Sequence, residues 1–385
     1  MDLPRAWCEI ELSAIGDNLA AIRHRIPQST GIIAVIKANA YGHGAATVAH
    51  YLSALGVEMF AVGDSEEGLE LRAAEITAPI LILGSIVDNE IEAVIRHRIT
   101  PSIHSTLRAR QLNLAARRLK LKIPVHLKVD TGSGRLGVRP ERALALAREI
   151  QASSNLYLEG VFTHLATNRV DGAAGVAHQV RTFERVLGRL KAAGIDPPLV
   201  HAANSAYLFG GPAIPGNRVR PGIGLYGMGP QGVAVHDLGL RPALSLHTQV
   251  VFLKDLPAGH PVGYNQAYIT GAPTRVAVLP IGYNDGYPYG ARGADVLVLG
   301  RRAPVIGTVT MDYLCVDVTH VPGVRTGTRV TLVGRDQDME ITLAELAGAS
   351  GTIPYAIPCL LGSRVKRIVR WPSATPRPLA AGILA

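Results

Sequence analysis

"IIAVIKANAYGHG", residues 32–44, sets an unbroken apolar run, Ile32 to Ile36, against a lysine, Lys37, and a glycine-bearing turn. A continuous rather than alternating run reads as a parallel strand buried on both faces. Such a strand ends where buried backbone meets loop, so Lys37 brings an ammonium group to the rim of a core. Taken alone, Lys37 has two readings. It snorkels at a strand end, or it is a partly desolvated amine with a depressed pKa, able to attack carbonyls.

The pattern repeats outward from there. Similar runs are "EMFAVG" (58–63), "PILILG" (79–84), "TPSIHS" (100–105), "VHLKVD" (125–130), "LEGVFTHL" (158–165), "PLVHAANS" (198–205) and "VRPGIGLYG" (219–227). Helix-like stretches lie between them. "AATVAHYLSALG" carries Ala45, Val48, Ala49, Leu52 and Leu55 on one stripe that Gly56 ends. "DSEEGLELRAAE" opens on Asp64 as an N-cap, with acids in its first turn. Eight strands alternating with helices predict a TIM-like (β/α)8 barrel over residues 1–236. The rival is an open doubly wound sheet, but no GxGxxG follows the first strand. Beyond residue 236 short β-like runs alternate with Gly and Pro turns, and only "ITLAELAGASG" reads as a helix. Residues 237–385 therefore read as a C-terminal, mostly β domain.

Composition narrows the function classes. At 385 residues the chain has room for two domains, and 48% hydrophobic with 18% charged residues predicts a packed globular protein. No stretch approaches the ~20 apolar residues of a membrane span, and the N-terminus has no secretory h-region. Cys8, Cys315 and Cys359 are too scattered for a disulfide framework or a metal site, which predicts a cytoplasmic protein without metal. The net charge of +9 invites a nucleic-acid reading. The basic clusters "RHR" (96–98) and "RRLKLK" (117–122) are short and lack interleaved aromatics, so they read as solvated helix faces. A modest positive field suits small anionic substrates instead.

In a barrel, chemistry sits at the C-terminal ends of the strands. Those ends carry Lys37, Lys128, Asp130, His164, Asn204, Ser205, Arg220 and Gly222. The turns "ANSAY" (203–207) and "RPGIGLYG" (220–227) follow strands seven and eight, the usual barrel phosphate site, although their glycines also suit plain tight turns. Arg135, in "LKVDTGSGRLGV", is either part of a surface ion pair or a bidentate partner for a substrate carboxylate. His164 is either a core histidine or a neighbour of a cofactor ring. A lysine able to form a Schiff base, together with a phosphate cradle, is what pyridoxal 5′-phosphate requires.

"VIKANAYGHG", "LKVDTGSGRLG", "FTHLAT", "HAANSA", "RPGIGLYG", "GYNDGYP", "TVTMD" and "GTIPY" occur in the order found in alanine racemases. The chain resembles that family from Glu9 to about Arg370. The resemblance implies a PLP enzyme and a homodimer with shared active sites, supplying D-alanine for peptidoglycan. It implies that Lys37 is the Schiff-base lysine and one base, and that Tyr264 is the second base, given by the partner subunit. Tyr41, Ser205, Gly222, Ile223 and Tyr355 resemble phosphate contacts, with Asn204 in support. Arg220 resembles the arginine facing the pyridine nitrogen, and His164 a neighbour of the ring. Arg135 is similar to the arginine that orients cofactor and substrate carboxylate. Met311 matches a substrate contact, also given by the partner subunit, with Asp312 beside it. Lys128 stands where many members carry a carbamylated lysine.

Three positions depart from the family. Ser133 stands for a frequent Met, Thr310 for a frequent Cys, and "IPYA" (353–356) for "INYE". The competing readings are a broad-specificity or serine racemase, a decarboxylase or other lyase on the same scaffold, and a PLP-binding protein without turnover. Proteins of that last class are single barrels, and this chain is longer.

Overall fold

The computed structural model describes residues 4–167, 174–211 and 215–372. The chain divides into two compact units. One gathers Ala14–Ala40 and Gly44–Arg241. The other gathers Tyr41–His43, the stretch that starts at Pro242 and the N-terminal strand.

The first unit is an eight-stranded, all-parallel sheet. In chain order its strands are Gly31–Val35, Met59–Val62, Ile80–Ile82, Ser102–Ile103, Ile123–Val129, Leu156–Thr163, Leu199–Asn204 and Arg218–Arg220. Strand Gly31–Val35 lies beside Arg218–Arg220, so the first and last strands are neighbours. A parallel bridge joins Leu81, in the strand at one end of the order, to Thr100, two residues before Ser102–Ile103 at the other end. Helices connect the strands, as the alternating pattern predicts. Ala45–Ala54 buries Val48, Ala49 and Leu52. Ser65–Ala73 starts at Asp64, whose carboxylate accepts from Glu67 N–H at 3.0 Å.

Three details differ from the apolar pattern. The fourth strand shrinks to Ser102–Ile103. The eighth ends at Arg220, because Pro221 has no N–H to give a ladder, and a 3-10 turn follows over Ile223–Tyr226. Lys37 lies beyond its strand, as the first residue of the short helical segment Lys37–Tyr41.

The second unit is a ten-stranded sheet with a separate two-stranded ribbon, Pro261–Val262 with Tyr268–Ile269. The N-terminal strand Ala6–Glu11 belongs to this sheet. It runs antiparallel to Leu244–Gln249 and parallel to Lys366–Arg370. Ala6, Trp7 and Cys8 are buried in succession, and so short a run does not reveal that address in the sequence. The predicted helix is present as Leu343–Ser350, capped by Thr342, and a second one, Ala356–Leu360, joins it.

Candidate active site

The turn after the first barrel strand sets the position of Lys37. Ala38, Asn39, Ala40 and Tyr41 all have φ between 51° and 54°, so this helical turn is left-handed. For L-residues that costs roughly 1–2 kcal/mol each. The surroundings oppose the cost with directed bonds. Glu67 accepts from Ala38 N–H at 2.5 Å through one oxygen and from Gly63 N–H at 2.6 Å through the other. Asn39 Oδ1 accepts from Ala45 N–H at 2.7 Å. The turn closes with Ala40 N–H donating to Ile36 O at 2.8 Å. Lys37 is exposed, so the desolvation considered for it from sequence is not met within this chain.

Lys128, from strand Ile123–Val129, is 5% exposed and donates to Leu83 O at 2.6 Å. Burial pushes its ammonium down to about 8, helped by the charges of Arg135, Arg220 and Lys37. His164 is held at about 3, by burial and then by Arg220, Arg135, Lys128 and Lys37, so its ring is neutral at any ordinary pH. These mutual influences put Lys37, Lys128, Arg135, Arg220 and His164 in one cluster at the strand ends.

Arg135 is exposed, and its guanidinium has no partner among the described residues. Asp130 does not pair with it. The Asp130 Oδ1 atom instead accepts from the N–H groups of Gly132, Ser133 and Gly134 at 3.0, 2.8 and 3.2 Å. Burial works to raise its pKa, but these bonds and that of Arg135 N–H outweigh burial and lower it. So Asp130 shapes the loop that presents Arg135, and the ion-pair alternative is set aside.

Arg220 is 3% exposed. Its Nη1 contacts His201 Nδ1 at 2.6 Å, and its Nη2 donates to Thr163 O and Ala202 O at 2.8 and 3.0 Å. Nε has no partner among the described residues. Phe162 lies beneath the guanidinium at 5.3 Å and stacks on His201 at 4.7 Å. Next to this, Ser205 Oγ accepts from Gly222 N–H at 3.0 Å and Gly224 N–H at 3.2 Å. Its own proton is uncommitted among the described residues. Ile223 begins the 3-10 turn there. Asn204 caps Ser205–Gly210 by accepting from Tyr207 N–H, and donates to Leu165 O and Thr167 O.

The remaining predicted residues lie in the second unit. A Cβ on Gly42 would fall 1.9 Å from Pro358 O, so only glycine allows the Tyr41–His43 stretch to meet helix Ala356–Leu360, which starts beside Tyr355. Arg367 donates to Gly42 O at 3.3 Å from the same unit. Tyr264 opens a short 3-10 turn and is 70% exposed. Met311, 51% exposed, sits in a turn that Thr310 ties. Thr310 Oγ1 donates to Tyr313 O at 2.7 Å and accepts from Tyr313 N–H at 3.1 Å. Asp312 pairs with Arg364 at 2.7 Å, which also binds buried Asp285 at 2.8 Å.

Residues 10–230 match the model of the alanine racemase N-terminal domain, and residues 243–369 that of the C-terminal domain. The chain belongs to the alanine racemase family. It is thus an isomerase, of a family that interconverts the enantiomers of alanine. The alanine racemase of Symbiobacterium thermophilum is 41% identical over 94% of this chain and 96% of its own length. That of Halothermothrix orenii is 36% identical over the same shares. A solved alanine racemase of Clostridium difficile 630 superposes with a TM-score of 0.91 at 34% identity, over 96% of both chains. One from Bacillus anthracis, solved with bound L-Ala-P, gives 0.88 at 36% identity over 96% of both.

Two features of this racemase site escaped the sequence. Glu67 was visible only as an acid in a helix's first turn, and its reach back to Ala38 needs the fold. His201, in "HAANS", carries no local sign of a role. Its spacing, two residues before Ala203 on a buried strand, gave no sign that it meets Arg220.

Proposed function

We propose that the chain racemises alanine with pyridoxal 5′-phosphate at the C-terminal ends of the barrel strands, using Lys37 and the partner subunit's Tyr264 as the two bases. The observation that carries this reading is the cluster of Lys37, Lys128, Arg135 and Arg220, a cationic rim with donors still uncommitted at Arg135, Arg220 Nε and Ser205. That donor set fits the cofactor. Its phosphate suits Ser205 and the Gly222–Ile223 turn, with Asn204 holding Ser205; the family resemblance is what adds Tyr41 and Tyr355 as phosphate contacts. Its ring nitrogen suits Arg220 Nε, and neutral His164 suits a neighbour of the ring.

When bound, the cofactor supplies the electron sink that acidifies the substrate α-carbon. The protein does the rest. Arg135 holds the substrate carboxylate by a bidentate pair. The partner subunit's Met311 adds an apolar contact, and Asp312 braces the Met311 turn through Arg364. Lys37 Nζ takes or returns the α-proton on one face, and the tyrosine oxygen does so on the other. Arg220, a donor that does not readily give up its proton, would face the cofactor's ring nitrogen and would disfavour transamination.

A homodimer with shared sites is part of this reading. Tyr264, Ile269, Tyr289, Met311 and Leu360 are all large, apolar or aromatic, and more than half exposed. An interface would cover such residues. A cytoplasmic enzyme feeding D-alanine to peptidoglycan completes the proposal, supported by three free cysteines and by the absence of any helix long and apolar enough to cross a membrane among the described residues.

The test is direct. Purified protein is given L-alanine, then L-serine, and scored for the D-isomer, and borohydride is used to fix the cofactor. D-alanine should form, with cofactor attached to the peptide that carries Lys37. No D-alanine, or label on another lysine, overturns the reading.

A further inference from the structure

The contact between Arg220 and His201 does not end there. His201 Nε2 lies 2.9 Å from His126 Nδ1, and His126 Nε2 lies 3.1 Å from Glu159 Oε2. Both imidazoles are fully buried, while the Glu159 side chain is 22% exposed. One end of this chain is a guanidinium, which only donates. The other is a carboxylate, which only accepts. Only one arrangement then satisfies every link. Arg220 donates to His201 Nδ1, His201 Nε2–H to His126 Nδ1, and His126 Nε2–H to Glu159. A proton added to either ring would set two donors against each other at one link. The burial that drives both histidines toward the neutral form agrees with this.

The backbone is built for that terminus. Strands Ile123–Val129 and Leu156–Thr163 pair Val125 with Leu158 but His126 with Gly160. Glu159 is therefore the extra residue of a bulge, a device that re-aims a side chain. Gly160 makes the room. A Cβ there would lie 2.5 Å from His126 ring atoms.

We infer that Glu159 is a positioning residue for racemisation: it terminates a one-way hydrogen-bond chain through His126 and His201 that fixes both tautomers and holds Arg220 in aim. The inference rests on the reading that Arg220 faces the cofactor ring. Without the carboxylate, His126 Nε2–H has no acceptor in a buried site. Its tautomer then switches, and a donor meets a donor at His201 or at Arg220.

The experiment compares wild type, E159L and E159Q. Ring-nitrogen NMR of the full chain without cofactor reports the tautomers, and the holoenzyme gives kcat, KM and pyruvate formed per racemisation. In wild type both rings should carry hydrogen on Nε2 and not titrate through the neutral range. In E159L at least one ring should switch, kcat should fall about tenfold with KM little changed, and the pyruvate share should rise. E159Q keeps an acceptor oxygen and should restore all of these. If E159L does not fold, E159A takes its place. Unchanged tautomers in the leucine or alanine variant overturn the chain, as does failure of the glutamine to rescue. Switched tautomers with kcat and pyruvate share unmoved overturn the link to Arg220. Loss of the cofactor reading itself would show differently, as absence of labelling at Lys37 in wild type.

Discussion

Arg220 Nη1 meets His201 Nδ1 across 2.6 Å inside the barrel. Burial pushes the guanidinium down to about 9, yet that lies above neutrality, and three acceptors favour its charged form. At neutral pH a cation therefore stands at the strand ends. Arg220→Glu replaces it with a group that can keep the ring nitrogen protonated. Racemisation should slow about a hundredfold, and pyruvate formed per turnover should rise. An unchanged ratio of pyruvate to D-alanine would count against the role.

Lys128 makes stability depend on pH. Its ordinary value is 10.5, and in the folded chain it is about 8. Between those values the unfolded chain holds a proton that the folded one has released, so stability rises with pH there. In buffer freed of carbon dioxide, the stability of wild type minus that of Lys128→Met should climb across this window. A flat difference in urea melts would refute the depressed value.

The same lowered value leaves a neutral amine available near pH 8. In bicarbonate Lys128 should take up carbon dioxide as a carbamate, turning repulsion from Arg135 into attraction. Native mass spectrometry should show one added carbon dioxide per chain, absent in Lys128→Met. Equal masses with and without bicarbonate would remove the claim.

Glu67 offsets the strain of the left-handed turn. Glu67→Gln turns an N–H toward one of the two backbone N–H groups it now accepts from. The loss should cost about 1–3 kcal/mol and lower the melting temperature. Borohydride labelling at Lys37 should also become slower. A variant as stable as wild type would show that the turn holds without it.

Tyr264 and Lys37 give a test of shared sites. Lys37→Ala and Tyr264→Phe homodimers should each be nearly inactive. Refolded together, half the dimers are mixed and one of their two sites is intact, so roughly a quarter of wild-type activity should return. Recovery near zero, with mixed dimers confirmed by mass, would show that sites form within one chain.

Much of the barrel was legible because its strands are buried on both faces and read as unbroken apolar runs. Met59–Val62 and Ile80–Ile82 are buried at every position. The cations at the strand ends were legible for the same reason, since each interrupts such a run. Lys37's left-handed turn was not. Alanine and asparagine residues do not announce positive φ, and its support comes from Glu67, distant in sequence. Nor was the bulge at Glu159 legible, because "LEGVF" reads equally well as regular strand. The N-terminal strand was missed as a member of the second sheet because pairing partners from the far end of a chain leave no local trace.

That strand has a consequence for synthesis. Ala6–Glu11 leaves the ribosome before the barrel strands, but it lies between Leu244–Gln249 and Lys366–Arg370, which emerge after them. The barrel strands can pair while it still waits, so an apolar segment bearing Trp7 and Ile10 stays unpaired through most of translation. Its sheet therefore closes through pairings of very long sequence separation, the kind that slows folding.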